Sequence, residues 1–177
     1  MQIPLPKLKA ITLYFCEHTD KLGMTKLMKL FYFLDFGNLK KHAIPVTYDS
    51  YMKWEHGPVP CTIHHLVDSL RHGEGDLELS DVIKIEPKQT AKGEMLEISP
   101  LRKFTSDDSD YLSPQELATL EAVCKKYGKM TKDEIEKASH AESPWKMSQM
   151  LQTIPYIYAS FDDDCEVTAE EIALSQI

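Results

Sequence analysis

Apolar positions recur at helical spacing through the first forty residues. Leu8, Ile11 and Phe15, with Tyr14 beside them, predict a helix over residues 7–19, and Asp20-Lys21-Leu22-Gly23 breaks it. Thr25 is placed to cap a second helix over residues 25–41. There Leu27, Leu30, Phe31 and Leu34 keep the i, i+3, i+4, i+7 spacing, and Met28, Tyr32, Phe33 and Phe36 carry the apolar surface well beyond one stripe. A helix that is apolar nearly all round belongs at the centre of a fold. Asp35 inside it reads as a paired or half-exposed carboxylate, because no second acid lies at helical spacing from it.

His42-Ala43-Ile44-Pro45 ends that helix, and the β-rich, aromatic residues 46–54 predict a short strand. Gly57-Pro58 breaks the strand. Val59, Ile63, Leu66, Val67 and Leu70 fall on one face and predict a helix over residues 59–71, ended by Gly73 and Gly75. Residues 77–86 and 94–98 read as two strands, joined through the polar residues 87–93 as a hairpin. Residues 100–110 form an acidic connector.

Ser113-Pro114-Gln115-Glu116 is a capping box with proline at the first helical position. It opens a helix whose apolar face is Leu117, Leu120, Val123, Cys124 and Tyr127, closed by Gly128. Thr131-Lys132-Asp133-Glu134 is a second capping box, for a short helix to about Ser139. Ser143-Pro144 starts a third helix, led by Trp145. Asp162-Asp163-Asp164 reads as a solvated charge run, and Thr168 as the cap of a last short helix. The pattern predicts an α+β fold: a mainly helical single domain with a small antiparallel sheet or hairpin inserted near the middle.

A length of 177 residues suits one domain and its own core. Cys16, Cys61, Cys124 and Cys165 are widely spaced with no CxxC pair, as expected of reduced thiols in a cytoplasmic protein. The N-terminus has neither the basic nor the apolar region of a signal peptide. The longest apolar stretch is interrupted by Lys29, Asp35 and Asn38, so no membrane span is expected. The net charge of −8 is uneven: residues 1–60 hold eight Lys and five Asp/Glu, and the rest hold twelve Lys/Arg and twenty-three Asp/Glu. A chain this acidic, without clustered Lys/Arg, is not expected to bind nucleic acid by itself.

Little in the sequence suggests catalysis. Cys61 shares a helical face with His64 or His65, which supplies two ligands where zinc takes three or four. There is no GxSxG elbow, P-loop or GxGxxG. A Cys/His-dependent or metal-dependent hydrolase built on Cys61, His64 and His140 is an alternative that only the fold could assemble. Neither a metal nor another cofactor is expected. Two constellations stand out instead, Trp54-Glu55-His56-Gly57-Pro58 and Ser139-His140-Ala141-Glu142-Ser143-Pro144-Trp145. Each sets a Trp, a His and a Pro at an element boundary. Such residues serve as core anchors, and rigid aromatics also suit protein recognition.

Four segments resemble one family, in its order and spacing. Lys26-Leu27-Met28-Lys29-Leu30-Phe31-Tyr32-Phe33 is similar to its KLxKLLYF run, and Tyr51-x-x-Trp54-x-x-Gly57-Pro58-Val59 to its aromatic-W-x-x-GPV motif. Leu112-Ser113-Pro114-Gln115-Glu116, followed by Tyr127-Gly128, matches its helix start. Ser139-His140-x-x-Ser143-Pro144-Trp145 is similar to its T/S-H…PW motif, with Ser139 where Thr is more usual. These segments resemble the Panacea domain, the SocA-like antitoxin domain of phage-associated proteins. The resemblance implies a non-enzymatic antitoxin of a type II toxin–antitoxin pair, which neutralises a toxin encoded by a neighbouring gene through direct protein contact. It also implies a second possibility, a proteolytic adaptor that delivers the toxin to a ClpXP-type protease. On this reading residues 1–161 form the domain, and residues 162–177 an acidic tail with a short helix. Tyr51, Trp54, Gly57, Pro58, His140, Pro144 and Trp145 are the motif residues expected at or behind a toxin-binding region.

Overall fold

The computed structural model describes residues 3–75, 77–91 and 93–176. Its first two helices are α1 (Leu5–His18) and α2 (Met24–His42). The hairpin β1 (Tyr51–Trp54) and β2 (Gly57–Pro60) leads into α3 (Cys61–His72), and a second hairpin pairs β3 (Ile83–Thr90) with β4 (Gly93–Pro100). After them come the single turn α4 (Ser106–Ser109), then α5 (Pro114–Tyr127), α6 (Lys132–His140) and α7 (Ser143–Met147). A 3-10 turn over Tyr156–Phe161 and α8 (Ala169–Ser175) end the order. The fold is mixed α+β, mainly helical, with two small antiparallel two-stranded sheets in the middle. No helix among the described residues is long and apolar enough to cross a membrane.

Helix α2 is the axis, as its all-round apolar pattern predicts. Leu27, Leu30, Phe31, Tyr32, Leu34 and Phe36 are all at most 1 % exposed. Around it pack α1, α3, α5, α6, β2 and the 3-10 turn. Aromatic rings fill the seams: Phe33 stacks on Tyr127 at 3.9 Å, Tyr32 meets Tyr51 edge-on at 5.8 Å, and Phe36 lies 4.9 Å from Tyr156.

Four charged residues of α2, Lys26, Lys29, Asp35 and Lys40, are buried too, and each ties down another segment. Lys26 Nζ donates to the carbonyls of Asp20 and Gly128, at 2.7 Å each. Lys29 Nζ donates to Pro58 O at 2.9 Å. Asp35 is fully buried, and its carboxylate accepts from Thr47 N (2.6 Å), the Thr47 hydroxyl and the Tyr51 hydroxyl (2.7 Å). Burial raises the Asp35 pKa to about 6, although those hydrogen bonds oppose the shift. Lys40 binds Glu142, Asp162 and Asp164 at 3.1, 2.8 and 3.0 Å. Polar groups taken from water must be paired, and here the pairing fixes where the surrounding segments sit.

Several expectations need correction. Gly23, not Thr25, caps α2, since the helix already begins at Met24. Only residues 51–54 of the predicted 46–54 strand are extended and paired; Thr47 is instead drawn onto Asp35. Gly57-Pro58 does not end the sheet but begins β2, and the helix starts at Cys61 rather than Val59. Prolines are tolerated there because β1 alone pairs with β2, leaving it an edge strand. The start of α3 is set from a distance, by Asp49 carboxylate oxygens accepting from Thr62 N and Ile63 N at 3.0 and 3.1 Å. The strand placed at 77–86 lies at Ile83–Thr90, and turns precede it. The connector at 100–110 contains α4, where Arg102 grips Asp108 through two 2.7 Å hydrogen bonds and holds its carboxyl down at about 2. The Asp162–Asp164 run is not wholly solvated, because two of its carboxylates bind Lys40. The capping boxes at Ser113, Thr131 and Thr168 form as predicted.

Candidate functional site

The β1–β2 hairpin lies against the ends of α6 and α7. Its register pairs Tyr51 with Pro60 and Trp54 with Gly57, leaving Glu55-His56 as a two-residue turn. Gly57 takes φ +105°, a conformation that favours glycine. Space makes the same demand: a Cβ on Gly57 would lie 2.5 Å from Lys29 Cε and 2.8 Å from Ser139 Oγ. Glycine therefore lets the hairpin close onto α2 and α6. Lys29, 1 % exposed, fills the space beneath and donates to Pro58 O. Burial lowers its pKa to about 7.

Along β1 the side chains alternate. Tyr51 and Lys53 point inward, and Trp54 is 41 % exposed. Lys53 Nζ donates to Ser148 O at 2.9 Å and sits 4.0 Å from the centre of the Trp145 ring. His140 stacks on Trp145 at 3.8 Å with planes 13° apart. Trp145 Nε1 donates to the Trp54 carbonyl at 3.4 Å. The indole thus bridges the two constellations. His140 Nε2 is buried without a hydrogen-bond partner among the described residues, and burial lowers the imidazole pKa. At the hairpin tip His56 Nδ1 lies 3.1 Å from Glu136.

A third segment extends this small sheet. Lys53 N donates to Gln152 O (2.9 Å), Leu151 N to Lys53 O (2.8 Å) and Ile154 N to Tyr51 O (2.7 Å), with Met52 bridged to Thr153. Two residues, Leu151 and Gln152, thus answer Lys53, which is a bulge. The chain from α7 toward the 3-10 turn is thereby fastened along β1.

Of the seven motif residues, Tyr51, Gly57, Pro58 and Pro144 are buried, His140 and Trp145 are half-buried, and Trp54 is exposed. The structure brings His140, Trp145, Trp54, Gly57 and Pro58 together around Lys29 and Lys53. The sequence reading missed both lysines as site residues. A lysine inside an apolar helix and another at an inward strand position were the available signals.

The Cys/His alternative finds little chemistry. Burial, and then the neighbouring Asp49 charge, raise the Cys61 pKa, the opposite of an activated thiol. No group of three or more His, Cys, Asp or Glu residues among those described is placed to hold a metal ion. A cleft of about 200 Å³ lies between α2 and α5, lined in part by Gly37, Lys40, Lys126 and Tyr127. Its buried cation, Lys40, is already held by three carboxylates.

The family model described as antitoxin SocA-like, Panacea domain, matches residues 27–146, more than half of the chain. The matched span runs from α2 through Trp145 and contains all seven motif residues. No curated protein and no solved structure matches the chain.

Proposed function

The chain belongs to the SocA-like, Panacea-domain antitoxin family, and from that premise we propose that it is a non-enzymatic antitoxin acting in the cytoplasm. It neutralises a toxin encoded by a neighbouring gene by binding it directly. The family match carries this reading. Two features of the site support it. The motif residues build a rigid, aromatic-rich corner rather than a catalytic array: the polar groups of Lys29 and Lys53 are spent on the carbonyls of Pro58 and Ser148. The corner also holds one large aromatic, Trp54, at the surface, as a recognition face requires. In this reading Gly57, Pro58, His140 and Trp145 position the face, and Trp54 belongs to it.

The test is co-expression. The product of the neighbouring gene is induced alone and together with this chain, and growth is followed. The proposal expects arrest by the product alone and recovery when this chain is present. A harmless product, or arrest that persists despite soluble, folded chain, overturns it.

A further inference from the structure

Leu151 stands in a conformation that its residue type disfavours. It is the third residue of the turn closed by Gln152 N donating to Gln149 O at 3.1 Å, with φ +60°. That position and the first position of this kind of bulge ordinarily take glycine. Yet the residue is leucine, and it is 65 % exposed, so it contributes little to the core. Among the described residues only Lys21, Ala43, Tyr48 and Leu151 are non-glycine with positive φ. Of these, Leu151 alone is a large, exposed hydrophobic. Strain held without a packing return marks a position kept for something outside the monomer.

The neighbours point the same way. Met150 is 50 % exposed and Met147 45 %. Leu151 N donates to the carbonyl of Lys53, the residue before Trp54, so the turn is anchored at that end of β1. The turn is rigid where it matters: both of its bulge residues are hydrogen-bonded to β1, and Ser148 O holds Lys53 Nζ. An apolar knuckle on a fixed base loses little entropy when it docks. Methionines around such a knuckle adapt to the shape of a partner.

We propose that Leu151, with Trp54, Met147 and Met150, is the docking knuckle that inserts into an apolar groove of the toxin. This rests on the antitoxin reading. Charge selects the occupant: with a net charge of −8, a second copy of the chain is repelled, and a basic or neutral protein is favoured.

The experiment compares wild type, Leu151→Gly, Leu151→Asn and Trp54→Ala for binding to the purified product of the neighbouring gene by isothermal titration, with thermal unfolding as the fold control. Glycine and asparagine both accept positive φ, so these variants keep the turn while removing the apolar side chain. The expected result is Leu151→Gly and Leu151→Asn at least as heat-stable as wild type, and bound about tenfold or more weaker. Trp54→Ala should weaken binding by a similar factor. Binding of both Leu151 variants within about twofold of wild type overturns the knuckle while leaving the antitoxin reading intact. Absence of wild-type binding overturns both. Sedimentation that shows a dimer of this chain, lost in Leu151→Gly, assigns the knuckle to self-association and overturns the toxin as its occupant.

Discussion

Replacing Gly57 by alanine attacks the corner at its tightest point. The added methyl would sit 2.5 Å from Lys29 Cε and 2.8 Å from Ser139 Oγ, well inside van der Waals contact, on a backbone at φ +105°. Holding a non-glycine residue in that region costs roughly 1–3 kcal/mol. Forcing a methyl into filled space costs roughly another 1–3 kcal/mol. The stiffer unfolded chain returns roughly 0.4–1 kcal/mol. The net loss is therefore roughly 1–5.5 kcal/mol. With an m-value on the order of 2 kcal/mol/M in urea, the midpoint falls by roughly 0.5–3 M. Urea unfolding followed by tryptophan fluorescence measures this, because Trp54 lies in the hairpin and Trp145 packs against it. The two contributions separate in a double-mutant cycle with Lys29→Ala, which removes one of the two obstacles: Gly57→Ala should then cost about 1 kcal/mol less. A loss below about 0.5 kcal/mol for Gly57→Ala would refute the argument, since neither the backbone conformation nor the close approach would then matter.

Lys29 gives the corner a pH signature. Its pKa is near 7 when folded and 10.5 ordinarily, so between those values the unfolded chain carries a proton that the folded chain lacks. The Lys29 contribution to stability must then rise with pH through that window and bear the full penalty below it, by an amount on the order of 4 kcal/mol between pH 7 and pH 10. Lys29→Met lacks this slope; a constant difference in unfolding free energy between wild type and variant across the window would contradict the account. Trp145→Ala removes the ring that bridges the two motifs. It should destabilise the protein by roughly 1.5–3 kcal/mol, below the range for a fully buried ring, and Trp145→Phe by clearly less. In Trp145→Ala the His140 imidazole gains access to water, so its lowered pKa should move back up toward 6.5 in an NMR titration, and an unchanged value would count against burial as the cause.

The parts of the fold written in local signals could be read from the sequence. The capping boxes at Ser113, Thr131 and Thr168 and the apolar pattern of α2 depend on residues a few positions apart, and they placed those helices closely. The hairpin could not be read this way. Gly57-Pro58 looks like a break, and only pairing with β1 and the lysine beneath make it a strand. The start of α3 depends on Asp49, whose carboxylate reaches across thirteen positions to Thr62. The second hairpin was expected too early, because the apolar residues Leu79 and Val82 are buried in turns rather than in a strand.

The same division holds within the site. The two Trp/His/Pro constellations were visible, and the structure joins them through Trp145. What joins them was not visible. Lys29 meets Pro58 twenty-nine positions away, and Lys53 meets Ser148 ninety-five positions away. The left-handed conformation of Leu151 accompanies the hydrogen bond from its N–H to Lys53 O, a contact that no local preference of leucine would suggest.

The central claim is that this chain silences a toxin by holding it. Titrating the purified chain into the purified product of the neighbouring gene, with no protease present, tests it most directly. The account predicts saturable binding at a fixed stoichiometry, with the toxic activity falling in proportion to the complex formed. Full toxic activity at saturating chain, or no measurable binding, would contradict it.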